Sequence, residues 1–208
     1  MGKEAKEMKR LLIVIDMQND FIDGSLGTPE AVAIVENVKN KIRQYPPEDI
    51  IATMDTHERN YLDTQEGKFL PVEHCIYGTH GWEIREDIME LLTEAEIYEK
   101  PTFGCLDLAQ DLRSYNEDLK AQVDYMKKVE AVGTRDISFA AEEGIEEQIE
   151  LELIGLCTDI CVVSNALLLK AYMPEVRISV DPTCCAGVTP EKHLAALETL
   201  RSCQIVVE

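Results

Sequence analysis

The run Leu11–Met17, with the sequence LLIVIDM, decides the fold class of this chain. Its aliphatic residues are continuous instead of alternating with polar ones, and Ile13, Val14 and Ile15 are β-branched. Such runs are typical of strands that are buried on both faces of a parallel sheet. The run therefore predicts a first strand that is covered on both of its faces.

Strand-like and helix-like segments alternate along the rest of the chain. The predicted strands are 11–17, 50–55, 96–100, 151–156, 176–180 and 204–207, and the predicted helices are 29–44, 83–94, 106–128, 159–172 and 189–201. Strands that alternate with helices build parallel sheets with right-handed crossovers. We therefore predict an α/β fold with a mostly parallel sheet.

The charge of the chain disfavours some classes of partner. The 208 residues include 20 Lys and Arg against 40 Asp and Glu, which gives a formal net charge of −20. A surface that binds nucleic acid needs clustered Lys and Arg, and an acidic protein is repelled by anionic membranes. We therefore expect neither nucleic acid nor membrane as a partner. The length predicts a single domain over residues 1–208.

Apolar stretches and cysteines bear on the compartment. The longest apolar runs, 11–15 and 162–169, are much shorter than the roughly 20 residues of a membrane span, and the N-terminus lacks the apolar core of a signal peptide. The seven cysteines are odd in number and lack disulfide-framework or zinc-knuckle spacing. These features predict a cytoplasmic protein with reduced thiols.

Reactive side chains stand at the ends of predicted strands. Asp16, Lys100 and Cys161 follow the first, third and fourth strands, and in parallel sheets chemistry gathers at the carboxyl ends of strands. Cys161 would lie in the first turn of a helix, where the dipole favours thiolate and free N–H groups could stabilise an oxyanion. Asp16 could be the base and Lys100 the charge stabiliser, although a structural cysteine, a cap and a salt bridge remain alternatives. His193 opens a later helix and is interpreted as structural.

A second group of side chains has the composition of a metal site. Asp55 and His57 are two residues apart, so an extended segment would place them on one side. His74 could add a ligand, with Glu66 or His80 nearby in the sequence. One Asp and two His with open positions for water suit Zn²⁺ or a similar divalent ion. The alternative is that these His side chains only make hydrogen bonds in loops.

A series of motifs runs in order from about residue 11 to the C-terminus. They are Ile15–Phe21 (IDMQNDF), Asp55–His57 (DTH), Leu70–Thr79 (LPVEHCIYGT), Lys100 and Leu156–Val162 (LCTDICV). Together they resemble the isochorismatase-like cysteine hydrolases, and within that family the nicotinamidase/pyrazinamidase branch. The resemblance implies a three-layer Rossmann-like fold, with a six-stranded, mostly parallel sheet and helices on both faces.

The resemblance also implies a thioester mechanism. Cys161 would attack a carboxamide carbon, Asp16 would accept its proton and pass it to leaving ammonia, and Lys100 would stabilise the Asp and thiolate charges. The backbone N–H groups of Cys157 and Cys161 would form the oxyanion hole. A cis peptide is expected at Leu156–Cys157, where it would aim an N–H group at the oxyanion.

Metal, substrate and assembly follow from the same resemblance. The branch binds a divalent metal, here expected to be zinc, with residues that match Asp55, His57 and His74, and Glu66 is the candidate for a further carboxylate. The substrate implied is a small carboxamide, with nicotinamide first and other small amides or N-carbamoyl compounds as alternatives. The family's habit of assembly implies a homo-oligomer, either a dimer or a tetramer.

Departures from the family pattern concern the substrate pocket and one long segment. Leu70 and Ile160 stand where typical nicotinamidases have aromatic residues, so Phe21 remains as the predicted aromatic wall. This difference favours another small amide as an alternative substrate. The acidic segment at about 114–147 is predicted to be an insertion that is atypical of the family. A catalytically idle binding or scaffold homologue is the competing hypothesis from another class.

Overall fold

The computed structural model describes residues 8–134 and 147–208. Its strands are β1 (Lys9–Ile15), β2 (Ile50–Asp55), β3 (Glu96–Lys100), β4 (Ile149–Leu156), β5 (Arg177–Ala186) and β6 (Val206–Val207). Its helices are α1 (Asn19–Ile22), α2 (Pro29–Ile42), α3 (Gln65–Phe69), α4 (Glu86–Met89), α5 (Leu106–Thr134), α6 (Val163–Tyr172) and α7 (Pro190–Ser202). The strands form one sheet in the order β3-β2-β1-β4-β5-β6, and every neighbouring pair is parallel. The predicted six-stranded α/β fold is confirmed.

The side chains of β1 alternate between two cores. Leu11, Ile13 and Ile15 belong to the core beneath α5, α6 and α7, whereas Leu12 and Val14 belong to the core beneath α2 on the other face. Because helices cover both faces, neither set of side chains meets water, and the strand sequence shows no polar alternation. The predicted three layers are therefore present, with β1 in the middle of the sheet.

The sheet has its switch point between β1 and β4. The chain runs from β1 outward to β2 and β3, and later returns to the other side of β1 as β4. Gly155 in β4 has a φ of +118°, and a Cβ atom there would lie 2.1 Å from Ile15 O, so only glycine permits this close approach. Crevices at switch points, outside the carboxyl ends of strands, are the usual ligand sites of such sheets.

The structure corrects several predicted boundaries. The strand 96–100 is confirmed as β3, but the predicted helix 83–94 is wrong in length, since α4 covers only Glu86–Met89. The predicted strand 176–180 continues to Ala186, because a register shift between Leu153 and Gly155 accommodates the segment around Pro182. Proline has no N–H group to donate to a neighbouring strand. Where the pairing of β4 and β5 is irregular, this missing donor removes no inter-strand hydrogen bond.

The long acidic segment lies partly in α5. Residues 114–134 continue this 29-residue helix well beyond the predicted end at 128, whereas 135–146 lie outside the described residues. That the segment 114–147 is an insertion stays a prediction. None of the helices in the described part of the chain is both long and apolar enough to cross a membrane.

Candidate active site

Asp16, Lys100 and Cys161 meet at the carboxyl edge of the sheet. Asp16 follows β1, Lys100 ends β3, and Cys161 lies in a π-helical turn, Thr158–Val162, between β4 and α6. Lys100 Nζ lies 2.7 Å from Asp16 Oδ2 and 3.5 Å from Cys161 Sγ. The three residues are at most 3% exposed. The structure thus brings the predicted base, cation and nucleophile into one buried group.

The surroundings of Asp16 suit a proton acceptor. Thr53 Oγ1 donates a 2.6 Å hydrogen bond to Asp16 Oδ1. Burial raises the pKa of the Asp16 carboxyl, the charge of Lys100 opposes this rise, and the carboxylate of Asp55 adds to it. A carboxylate with a raised pKa is a stronger base than an exposed aspartate, which is the property that abstraction of a thiol proton requires.

The surroundings of the Cys161 thiol favour its neutral form. Burial raises its pKa well above the usual value, Asp16 adds to this effect, and Lys100 opposes it. The helix terminus was expected to favour the thiolate, but the net shift of the pKa is in the opposite direction, because burial disfavours the charged form. The nucleophile consequently needs a base, and Asp16 is placed to provide one.

The turn that carries Cys161 is fixed to the neighbouring loop. The peptide Leu156–Cys157 is cis, as the motif resemblance implied. Asp159 Oδ1 accepts a 2.9 Å hydrogen bond from Val188 N. Thr158 Oγ1 and His193 Nδ1 share a 2.8 Å hydrogen bond, so His193 contacts the base of the turn and holds a structural position.

Asp55, His57, Glu66 and His74 form a compact group beside these residues. Their ligand atoms all lie within 4.8 Å of one another, with His57 Nε2 at 3.0 Å from Asp55 Oδ2 and His74 Nε2 at 3.6 Å from the same atom. Four ligands at about 2.1 Å from one ion are separated by about 3.4 Å, so the spacing fits a single divalent ion. His80 lies outside the group, with a side chain that is 85% exposed.

The chemistry of the donor atoms also fits a metal. His74 Nδ1 lies 2.8 Å from Val72 O, and a donated hydrogen bond there leaves Nε2 free to face the group as a ligand. His57 Nε2 is buried and has no hydrogen-bond partner in the described part of the chain. Although burial opposes its charge, the close His57 and His74 side chains and the charge of Lys100 lower the pKa of Asp55. The group therefore presents an anionic oxygen and imidazole nitrogens to a common centre.

A cavity of about 300 Å³ connects the two groups. Asp55, Glu66, His74, Cys157 and Cys161 line it, and the predicted pocket residues line it as well: Phe21, Leu70 and Ile160. Sequence reasoning missed further wall residues, namely Leu26, Phe69, Phe103, Val188 and Lys192. Of these, Phe103 could have been predicted as a wall residue, because it lies only three positions after Lys100 at the end of β3.

The comparisons with known proteins agree with this geometry. The sequence profile of the isochorismatase domain matches residues 10–208. The chain belongs to the isochorismatase family. It is 25% identical over 201 residues to the nicotinamidase/pyrazinamidase of Mycobacterium tuberculosis, which covers 94% of this chain and 96% of that protein.

Two solved structures are similar to this chain in fold. The nicotinamidase of Bacillus subtilis superposes with a TM-score of 0.68 at 25% identity, over 96% of this chain and 99% of that one. The pyrazinamidase of Pyrococcus horikoshii, solved in complex with zinc, gives a TM-score of 0.67 at 24% identity, over 96% and 98% of the two chains. The second likeness concerns the fold alone. The resemblance seen in the motifs is confirmed.

Two further polar residues of this isochorismatase-family site escaped the sequence reasoning. Gln18 Oε1 accepts a 2.7 Å hydrogen bond from Asp55 N, and its Nε2 donates to Asp55 O at 2.8 Å and to Trp82 O at 2.7 Å. Asp20 Oδ2 accepts a 2.8 Å hydrogen bond from Cys75 N, next to His74. Both belong to the motif IDMQNDF. The search for reactive side chains at strand ends did not assign them roles, because they lie beyond the end of β1. They hold the segments that carry the metal-site residues.

Proposed function

We propose that this protein hydrolyses a small carboxamide to the acid and ammonia through a thioester at Cys161, with nicotinamide as the leading substrate. The observation that carries the proposal is the buried contact of Lys100 with both Asp16 and Cys161 beside a cavity lined by metal-site residues. Membership of the isochorismatase family supports it. The relatives named nicotinamidase or pyrazinamidase at 25% identity support the choice of substrate.

The first half-reaction forms the thioester. Asp16 accepts the proton of the Cys161 thiol as Sγ bonds to the amide carbon. The backbone N–H groups of Cys157 and Cys161 bind the oxygen, which becomes negative. When the C–N bond breaks, Asp16 returns its proton to the nitrogen and ammonia leaves.

The second half-reaction releases the acid. Water gives a proton to Asp16 and attacks the thioester carbon, the C–S bond breaks, and Cys161 recovers the proton. Lys100 stays protonated throughout: burial opposes its charge, but Asp16, Cys161 and Asp55 raise its pKa. Its ammonium group therefore stabilises whichever neighbour carries negative charge at each stage.

We also propose that Asp55, His57, Glu66 and His74 hold a divalent ion. Their nitrogen and oxygen donors suit Zn²⁺, and the Pyrococcus horikoshii pyrazinamidase was solved in complex with zinc. When bound, such an ion supplies a Lewis acid that can accept the lone pair of a ring nitrogen and so orient the substrate. The protein residues of the cavity wall would then place the carboxamide against Cys161.

The cavity wall supports a second substrate class. Leu70 and Ile160 are aliphatic, whereas Phe21, Phe69 and Phe103 supply aromatic side chains to the same wall. The Phe21 ring centroid lies 5.5 Å from that of His74. A wall that is aliphatic at positions 70 and 160 would also accept other small amides or N-carbamoyl compounds. An idle scaffold, by contrast, has no use for Lys100 and Asp16 buried together, since each buried ion carries a desolvation cost.

A panel assay tests the proposal. Purified protein is incubated with nicotinamide, pyrazinamide, aliphatic primary amides and N-carbamoyl amino acids, and ammonia release is followed. C161A should abolish release, whereas C185A, which removes a thiol that is equally buried at 3% exposure but does not line the cavity, should retain it. Equal release by wild type and C161A across the panel would overturn the proposal.

The assembly into a dimer or tetramer and the cytoplasmic location stay predictions.

A further inference from the structure

Asn165, in the first turn of α6, has a fully buried side chain whose nitrogen and oxygen atoms both make hydrogen bonds. It is 0% exposed. Its Nδ2 donates to Cys161 O at 2.8 Å and to Phe103 O at 3.0 Å, and its Oδ1 accepts from Cys105 N at 2.8 Å. One side-chain amide thus binds three backbone groups in two separate segments.

Both segments belong to the catalytic site. Cys161 is the nucleophile, and its carbonyl lies in the π-helical turn that precedes α6. Phe103 and Cys105 lie on the connection that follows Lys100 at the end of β3, and Phe103 lines the cavity. The amide of Asn165 therefore joins the backbone of the nucleophile to the segment that follows the catalytic cation.

The connection between Lys100 and α5 packs closely on α6. A Cβ atom at Gly104 would lie 3.3 Å from Leu168 Cδ2 and 3.6 Å from Ser164 O. The two segments are thus in close contact, and the hydrogen bonds of Asn165 tie their backbones together beside this contact. Lys100 Nζ and Cys161 Sγ lie 3.5 Å apart.

We propose that Asn165 is a positioning residue that sets the relative placement of Cys161, Lys100 and Phe103. The proposal rests on the proposed amide hydrolysis for its kinetic test. Its reason is geometric: a reacting group that is misplaced by about 1 Å can lose on the order of 10²-fold in rate. Asn165 itself touches the backbone of the site and takes no part in proton transfer.

The kinetic test uses a second buried asparagine as a matched control. Asn116, 4% exposed, accepts from Gln148 N at 3.1 Å and donates to Glu147, at the amino end of β4 and far from Cys161. N165A should lower kcat at least about tenfold, with a change in KM of less than about threefold, because the metal group lies on other segments. N116A should lower thermal stability and leave kcat unchanged. A kcat of N165A within about twofold of wild type, or no lower than that of N116A, would overturn the proposal.

A substrate-free test separates this proposal from the proposed function and covers a poorly folding N165A. N165L keeps the branched shape of the side chain and removes all three hydrogen bonds without adding a charge. Iodoacetamide labelling, read by peptide mass spectrometry, should be at least about fivefold slower at Cys161 in N165L, because a displaced Lys100 no longer stabilises the thiolate. Labelling of Cys185 reports global unfolding. Unchanged labelling at Cys161, or faster labelling at both cysteines, would assign Asn165 a purely structural role, whatever the amide assay shows.

Discussion

Asp55 Oδ1 lies 3.4 Å from Lys100 Nζ, so a single carboxylate joins the candidate metal group to the proposed catalytic residues. The other oxygen, Oδ2, faces His57 Nε2 at 3.0 Å and His74 Nε2 at 3.6 Å. Lys100 continues the chain of contacts to Asp16 at 2.7 Å. Because the group is buried, these charges are weakly screened. The loss of Asp55 should therefore affect both metal binding and the chemistry at Cys161.

The first prediction compares Asp55 with Glu66. Asp55 is 2% exposed and touches both His residues and Lys100, whereas the Glu66 side chain is 23% exposed and lies 3.6–3.7 Å from the two His residues. D55A should abolish binding of the proposed divalent metal and lower kcat/KM at least about 100-fold, whereas E66Q should lower kcat/KM about tenfold or less. Metal content by mass spectrometry and ammonia release check both variants. Equal metal loss in D55A and E66Q would refute this ranking.

Gln18 gives the second prediction, because it holds the backbone of Asp55 on both its N–H and C=O groups. Q18A would leave these buried groups without their side-chain partner and loosen the end of β2. Changes to residues that orient metal ligands typically cost about 10–100-fold in metal affinity, and we expect a weakening of that size in a zinc titration against a chelator.

The control for Q18A is N37A. Asn37 also donates a side-chain hydrogen bond to a backbone carbonyl, Thr183 O, at 2.8 Å, but at an exposed position remote from the metal group. N37A should bind zinc as wild type does. Wild-type zinc affinity in Q18A would show that the end of β2 is held adequately without Gln18.

Much of the site was predictable because it stands at strand ends. Asp16 follows β1, whereas Asp55 and Lys100 are the last residues of β2 and β3. Parallel strands bring their carboxyl ends to one edge of the sheet. The continuous aliphatic sequence of β1 predicted its burial on both faces, because a strand that helices cover on both sides needs no polar side chains. The sequence therefore predicted those residues of the site whose positions follow from the ends of the strands.

The rest depended on burial, which a linear sequence does not display. The helix terminus was expected to favour the thiolate of Cys161, but burial, which depends on how the fold packs around the thiol, raises its pKa. Asn165 has an ordinary place in a helical sequence, and only the fold brings it against Phe103 and Cys105. The extension of β5 past Pro182 likewise needed the register with β4.

The third prediction concerns stability and pH at the Lys41–Asp181 ion pair, where the charged atoms lie 2.8 Å apart. Burial acts to raise the pKa of Asp181, but Lys41 and Thr183 outweigh it and lower the pKa. The folded state therefore binds fewer protons than the unfolded state between the two pKa values, and stability rises with pH there. The contribution is complete above the unfolded pKa of about 3.9 and is lost as pH falls through the folded value.

D181N should accordingly be less stable than wild type by about 1 kcal/mol at pH 7, and the difference should shrink as the pH falls below about 4. Urea unfolding at a series of pH values measures it. D23N is the control, because Asp23 pairs with Arg85 at an exposed position and exposed pairs contribute little. A difference between wild type and D181N that stays constant down to pH 2 would contradict the linkage.

The fourth prediction uses the aliphatic wall to identify the substrate class. Leu70 lines the cavity and is 36% exposed. L70W would add an aromatic face, and a stacking contact with a pyridine ring contributes about 1 kcal/mol, which corresponds to about fivefold in kcat/KM. We therefore expect L70W to improve nicotinamide hydrolysis about fivefold and to leave hydrolysis of a small aliphatic amide unchanged or reduced.

L62W provides the comparison, since Leu62 is 48% exposed, lies in the same region of sequence and does not line the cavity. It should hydrolyse both amides as wild type does. If L70W instead impairs nicotinamide and spares the aliphatic amide, the ring does not bind against this wall. The aliphatic residues at 70 and 160 would then be selective features for a non-aromatic amide, and the second substrate class would replace the first.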